Sequence, residues 1–405
     1  MAQKNLLGKI IEKTAESLLT VSGALTTIAI LFITIFLFKE GFGLFKSPAI
    51  EDGYGLYVHP ENPVIELHPL DIKNIYDEEI TNWKEVGGTD QKIMIFRIDD
   101  VFDYYSDEDL GENYSLLPEK LGHIIADHKN IIAFVPEEFA PTNGQYAKEV
   151  KVLNTTISDF FLGKEWLPTS TPSPLFGSLP LILGTLLVSL IAIVLALPLG
   201  LGVAVYLSEL ADERMRKFLK PVIELLAGIP SVVYGFFGLV VIAPLVQKVF
   251  NLPVGETAFT GGLILAIMAL PTIISVAEDA ISNTPRAMRE ASLALGATQW
   301  QTIRKVVIPY AGSGISAAAV LGIGRAVGET MAVLMITGNA AVIPSSIFEP
   351  VRTIPATIAA ELGEAPSGGQ HYQALFLLGW ILFLISMIIS IVSDLISKKK
   401  NYKSV

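Results

Sequence analysis

The chain reads as a series of long apolar runs interrupted by one extended stretch of different character. Runs at 18–38, 175–207, 222–246, 259–277, 309–336 and 374–396 are each long enough to cross about 30 Å of hydrocarbon as a helix. Pro180 and Pro198 in the second run, and Gly228-Ile229-Pro230 and Pro244 in the third, predict kinks or breaks, which membrane helices tolerate where neighbours satisfy the freed backbone groups. Ahead of the first run, Lys4, Lys9 and Lys13 alternate with Leu6, Leu7, Ile10 and Ile11, so residues 1–17 are expected to form a short amphipathic helix on a membrane surface. No small-residue cleavage site follows 18–38, which reads as a retained anchor and not a removed signal.

Between 51 and 165 the pattern shortens to strand candidates at 93–96 and 131–135 with helix-like stretches between them, predicting a small α/β module inserted after the first span. A proline-rich hinge, residues 166–174, leads back to the membrane. The expected fold is therefore an all-α integral membrane protein of six spans with an α/β insertion, its later five spans (175–396) forming one membrane core.

Composition agrees. Of 405 residues 51% are hydrophobic, too many for an ordinary soluble enzyme of this size. The net charge of -11 is concentrated in the insertion, where 24 acids face 9 bases, leaving the remainder mildly basic. With no cysteine there is no disulfide, thiolate metal site or cysteine nucleophile, and the five histidines have no ligand spacing, so no metal site and no catalytic group are expected. Nothing points to nucleic acid.

The bases give the orientation. Arg214, Arg216, Lys217 and Lys220 fill the second loop, Arg286, Arg289, Arg304 and Lys305 the fourth, and Lys398, Lys399, Lys400 and Lys403 the tail at 397–405. Residues 251–257 have none, and 338–373 have only Arg352. The positive-inside rule then puts both termini in the cytoplasm and the insertion outside.

Within the 309–336 run stands Gly324-Arg325-Ala326-Val327-Gly328-Glu329. On one continuous helix Arg325 and Glu329, four apart, share a face and would form an ion pair. Ionised groups in hydrocarbon are costly, so such a pair reads either as part of a polar pathway or as a salt bridge pinning two helices. Gly324 and Gly328 have the spacing that lets another helix approach closely. Neither G-x-G-x-x-G nor G-x-x-x-x-G-K-[ST] occurs here, so no nucleotide loop is expected.

The fourth loop, 284–308, carries capping signals. Thr284 is expected to cap a helix begun by Pro285 and ended at Gly296, and Thr298 with Gln301 fits a capping box for a second helix through 303–307. Two short capped helices make either a rigid protrusion or an amphipathic element resting on lipid.

Arg289-Glu290-Ala291-Ser292-Leu293-Ala294-Leu295-Gly296-Ala297 resembles the E-A-A-x-x-x-G signature of permease subunits of binding-protein-dependent ABC importers, with Ser292 where many members have alanine. The resemblance implies that this loop is a coupling helix docking on an ATPase subunit through Glu290, Ala291 and Gly296. Gly228-Ile229-Pro230-Ser231-Val232-Val233-Tyr234-Gly235, Phe160-Phe161-Leu162-Gly163 with Trp166, and the Arg325 motif through Val333 are similar to the C-type branch of phosphate ABC importer permeases. Leu70-Asp71-Ile72-Lys73-Asn74-Ile75-Tyr76 and Ile80-Thr81-Asn82-Trp83-Lys84-Glu85-Val86-Gly87-Gly88 resemble part of a periplasmic phosphate-binding protein, a family in which Arg-x-Asp-x-Ser-Gly-Thr holds the anion. Here Arg97 and Asp99 are followed by Asp100-Val101-Phe102-Asp103, so capture of phosphate by the insertion alone is not expected.

What the resemblance implies is a transport subunit in the inner membrane that is no enzyme. ATP and Mg would be used by two cytoplasmic ATPase subunits, alongside a second permease, an extracytoplasmic phosphate-binding protein and membrane lipid. Arg325 would attract the anion and Glu329 would restrain the arginine. The alternatives are an importer of another oxyanion such as phosphonate, an ATP-independent anion transporter, and a receptor sensing through the insertion.

Overall fold

The computed structural model describes residues 2–141 and 144–401, without the side chains of 2–12, 393, 394 and 396–401. The face of the amphipathic N-terminal helix and the charges of the basic tail therefore lie outside the described residues.

The first helix, α1 (Ala2–Gly41), is continuous, so the surface helix and first span expected separately are one element. It has no proline, and the hydroxyls of Thr20, Thr26, Thr27 and Thr34 each bond the carbonyl four residues back, which keeps them satisfied in an apolar setting. At its end Gly41 lies so close to Leu377 that an added Cβ would stand 2.7 Å from the Leu377 nitrogen. Phe36 and Phe38 pack there on Phe376 and Trp380.

The insertion follows: β1 (Tyr54–Val58), β2 (Glu66–Leu67), α2 (Pro69–Tyr76), β3 (Met94–Arg97), α3 (Leu117–Asp127), β4 (Ile131–Pro136), β5 (Lys148–Glu149), β6 (Lys151–Val152) and α4 (Ile157–Leu162). A four-stranded sheet runs β3-β4-β1-β5, with β1 antiparallel to both neighbours and β3 parallel to β4. Strand β4 is apolar throughout because both its faces are covered. Ile132 and Phe134 meet Leu56, Ile72, Ile75 and Trp83, while Ile131, Ala133 and Val135 meet Phe96, Leu121 and Ile125.

The chain returns through a small hairpin, β7 (Trp166–Leu167) and β8 (Leu175–Phe176), into α5 (Leu179–Val205), α6 (Glu213–Ala227), α7 (Ser231–Phe237), α8 (Ala243–Phe250) and α9 (Ala258–Ser282). Then come α10 (Arg286–Ala294), α11 (Gln299–Thr302), α12 (Ile308–Tyr310), α13 (Gly312–Gly328), α14 (Met331–Ile336), α15 (Ile354–Glu361) and α16 (Gln370–Asn401). Among the described residues five helices are long and apolar enough to cross a membrane, or six if Gln299–Tyr310 and Gly312–Gly328, bent by 71°, form one span. The molecule is a predominantly helical membrane protein. Helix α9 lies at its centre and α5 presses on it, since a Cβ at Gly262 would stand 2.4 Å from Ile191 and one at Gly200 2.7 Å from Ile273.

One run breaks where its Gly228-Ile229-Pro230 predicts, and another differs from expectation. The 222–246 run is not one helix: α6 ends at Ala227, and Pro230, which lacks an N–H and disfavours helix in the residue before it, separates α6 from a span at Ser231–Phe250. The 309–336 run is broken twice, at Ala311 where the 71° bend falls and again at Glu329-Thr330. Pro198, by contrast, sits inside an unbroken α5.

Insertion and membrane body are bolted together. Gln370 donates to the carbonyls of Pro48 and Ile50 at 2.7 and 3.2 Å, and the Ser178 hydroxyl to that of Phe160 at 2.7 Å. The Glu361 carboxylate receives Arg352 at 2.6 Å, His371 at 2.9 Å and the Trp166 indole N–H at 3.0 Å, which joins α15, α16 and the hairpin. Burial pushes this carboxyl up, but the bonds from His371 and Trp166 and the Arg352 charge outweigh it and hold it below the usual glutamate range. A depressed carboxyl stabilises the fold fully above its unfolded value of about 4.3 and loses that contribution as pH falls through the folded one. Glu361→Gln is expected to cost about 3 kcal/mol at pH 7, because it leaves Arg352 without its counter-charge. Thermal unfolding in detergent, run against pH, should show the wild-type advantage shrinking below about pH 4.3.

Candidate substrate path and coupling surface

Arg325 stands in the last turn of α13, where the unpaired carbonyls of a helix end favour a cation. One guanidinium N–H reaches the Thr272 hydroxyl on α9 at 3.4 Å, a long contact that leaves most of the fork's five donors unspent. The ion pair expected with Glu329 is not formed. Glu329 ends the helix in an extended conformation (φ -70°, ψ 130°), so the four-residue stacking on which the pair depended stops one residue short of it. Its carboxylate instead accepts the Ala332 N–H at 3.4 Å, at the start of α14. Acid and base thus flank a break, each at the helix end whose dipole suits its charge.

The break rests on packing. Ala332, Val333 and Ile336 of α14 are buried with Tyr234, Ile264 and Met268. Gly235 lets α7 approach, since a Cβ there would stand 2.8 Å from the Met335 sulfur and 3.0 Å from Ala332. The Tyr234 hydroxyl donates to the Leu226 carbonyl at 2.9 Å, bridging the α6–α7 break. On the opposite side Gly324 and Gly328 face open space, with nothing within 4 Å of an added Cβ. Arg325 is therefore a partly exposed cation beside a discontinuous helix, able to offer a planar donor fork to an oxyanion.

At the end remote from the insertion, α10 and α11 form a projecting corner. Gly296 takes the left-handed conformation (φ +85°) expected of a helix stop. Thr298 and Gln301 form the capping box. Thr284 does not cap: Pro285 holds the cap position, its carbonyl accepts Met288 N–H, and the Thr284 hydroxyl is buried without a partner. Glu290, Ala291 and Gly296 are all exposed, and apolar Leu295 (89% exposed) and Trp300 (61%) accompany them. A corner presenting both a carboxylate and uncovered apolar groups is built for contact with another surface.

In the insertion, Arg97 lies over the Tyr76 ring, 5.5 Å from its centroid, and its backbone N–H is taken by the Asp100 carboxylate at 2.6 Å. Asp100 thus fills the place where an anion would receive that amide. A cavity of about 340 Å³ lies elsewhere, between the insertion and the β7–β8 hairpin, lined by His68, Asp159, Leu162, Lys164 and Phe176.

Three carboxylates that tie elements together by ion pairs were not singled out by sequence. Glu278 on α9, 3% exposed, receives Arg216 at 2.7 Å and Lys220 at 3.2 Å from α6. Glu209 receives Arg289 at 2.6 Å, and Glu361 ties the other end.

Residues 196–401 match the family described as binding-protein-dependent transport system inner membrane component. The chain is 39% identical over 242 residues to a probable ABC transporter permease protein, YqgH, of Bacillus subtilis, covering 60% of this chain and 78% of that protein. It is also 39% identical over 263 residues to the phosphate transport system permease protein PstC of Mesorhizobium japonicum, covering 60% and 79%. Among solved structures, the inward-facing MetNI methionine ABC transporter aligns with a TM-score of 0.44 at 19% identity, covering 54% of this chain and 94% of that one.

The geometry at the break has a measurable consequence. In a double-mutant cycle with Arg325→Gln and Glu329→Gln, the stability effects should add to within about 0.5 kcal/mol, as for residues that share no direct bond. A coupling above about 1 kcal/mol in detergent unfolding would restore the direct pair.

Proposed function

The chain belongs to the family of binding-protein-dependent transport system inner membrane components, and from that premise we propose that it is the permease subunit through which an ATP-driven importer moves inorganic phosphate inward. The single observation that carries the substrate class is Arg325, a guanidinium with spare donors at a helix break. Similarity to phosphate permeases narrows the oxyanion to phosphate.

In this reading the insertion and the Glu361 junction lie outside, and both termini and the α10–α11 corner lie in the cytoplasm, in line with the distribution of bases. A second permease subunit would cover the open Gly324–Gly328 face, and a soluble phosphate-binding protein would deliver the anion. Two ATPase subunits using ATP and Mg would seat on Glu290, Ala291 and the exposed apolar corner. Arg325 accepts the oxyanion in a bidentate fashion, and Glu329, anchored at the start of α14, keeps negative charge near enough to favour release. ATP hydrolysis is the work of the separate subunit. An ATP-independent transporter would leave the corner without a task, and a receptor would leave Arg325 without one.

The test is uptake of labelled phosphate by the complete complex in vesicles, with phosphonate and sulfate as competitors. Import driven by ATP and suppressed most strongly by unlabelled phosphate is expected; preference for phosphonate would move the assignment to that oxyanion. Arg325→Gln should abolish uptake at normal membrane abundance, since glutamine loses both the charge and the fork. Gly296→Val should separate ATP hydrolysis from uptake, because a β-branched residue at φ +85° costs about 1–2 kcal/mol and displaces the corner. Parallel measurement of ATP turnover and uptake distinguishes that result from simple loss of protein.

A further inference from the structure

The corner at α10–α11 is joined to the membrane body chiefly through the guanidinium of Arg289. Arg289 donates from Nε (3.1 Å) and from a terminal nitrogen (2.6 Å) to a single oxygen of Glu209 in the turn that ends α5. The same side chain donates to the carbonyl of Ile281 at 2.9 Å and to that of Thr284, at the end of α9. The Gln299 side chain on α11 adds a bond to the Glu209 carbonyl at 3.1 Å. The Glu209 side chain is only 9% exposed and that of Arg289 20%, so water does not compete strongly for these bonds. Helices α5 and α9 are themselves closely packed at Gly200 and Gly262.

We propose that Arg289 and Glu209 are positioning residues that make the α10–α11 corner and the ends of α5 and α9 one rigid joint, so that displacement of the corner by ATPase subunits reaches the core without slack. The inference deepens the transport reading and rests on it. Its physical basis is geometric. A lysine would bring one point charge, whereas the fork holds three acceptors from the ends of α5 and α9 at fixed angles, so loss of the Glu209 carboxylate loosens the corner from α5, leaving only the Gln299 bond there, while Arg289 keeps it on α9.

The test uses the complete complex in vesicles, with ATP turnover and phosphate uptake measured in the same preparation for the native chain, Glu209→Gln and Arg289→Lys. Both variants are expected to keep ATP turnover per assembled complex while uptake per ATP falls at least about tenfold, the weight of one lost charge-assisted bond. A merely structural role would lower abundance and leave uptake per ATP unchanged, which overturns the joint. Because the native chain has no cysteine, spin labels can also be placed through Leu210→Cys with Arg286→Cys, on the two sides of the joint. Their separation should be the same without nucleotide and with the ADP formed by hydrolysis trapped by vanadate; a change of several ångströms overturns the proposal even where the variants fail to assemble. If the native complex shows no ATP-driven uptake, the transport reading itself fails. If it does and Glu209→Gln imports normally per ATP, the joint alone fails.

Discussion

A helix that stops inside an apolar body leaves backbone groups without partners, and the arrangement around Glu329-Thr330 follows from that constraint. The end of α13 needs positive charge near its carbonyls and has Arg325; the start of α14 needs an acceptor for its amides and has Glu329. Had the helix run on, the two would have neutralised each other on one face. Because it breaks, each charge is held by a helix end, and the guanidinium keeps donors in reserve. The close approach of Gly235 to α14 and the burial of Ala332 and Val333 fix the broken segment so that the interruption does not spread.

The same economy of charge governs both ends of the membrane body. Buried carboxylates persist only where several donors reach them, and Glu361, Glu278 and Glu209 each meet that condition through partners from other elements. Glu361 gathers α15, α16 and the hairpin at the insertion end. At the other end Glu278 holds α6 to α9, and Glu209 holds the α10–α11 corner to α5. Between them the spans meet through small residues and apolar surface, a contact that resists sliding less than a set of directed bonds does. Rigid ends with a more adaptable middle would suit the transport function proposed above, in which such a body tilts without coming apart.

Much of the fold was legible because hydrophobic run length is set by bilayer thickness alone. The runs beginning near 18, 175, 259 and 374 correspond to helices, and β4 stands where the apolar stretch 131–135 predicted it. The errors share one cause. Run length reports burial in hydrocarbon and carries no information on where a helix inside the run ends; the break at Gly228-Ile229-Pro230 was readable only from those residues themselves, and the run at 309–336, which has no such marker at Glu329-Thr330, was taken as continuous. The Arg325–Glu329 pair was inferred from helical periodicity and failed with it. Gly296 and the Thr298–Gln301 box were readable because capping is written in local sequence, whereas Glu209, Glu278 and Glu361 depend on partners 62 to 195 residues apart or more locally on Arg352.

The acidic insertion sets a condition on any anionic cargo. Its 24 acids against 9 bases create a repulsive field, but at physiological ionic strength such a field decays over about 8 Å. An anion diffusing freely along the insertion meets that repulsion at close range, and Asp100 already occupies the backbone amide of Arg97. An anion enclosed in a carrier protein does not, because its charge is met by the carrier's own donors until release. The insertion therefore disfavours direct entry of a free anion and leaves delivery by a carrier unaffected, which agrees with the proposed role of Arg325, a guanidinium at the end of α13 with donors to spare.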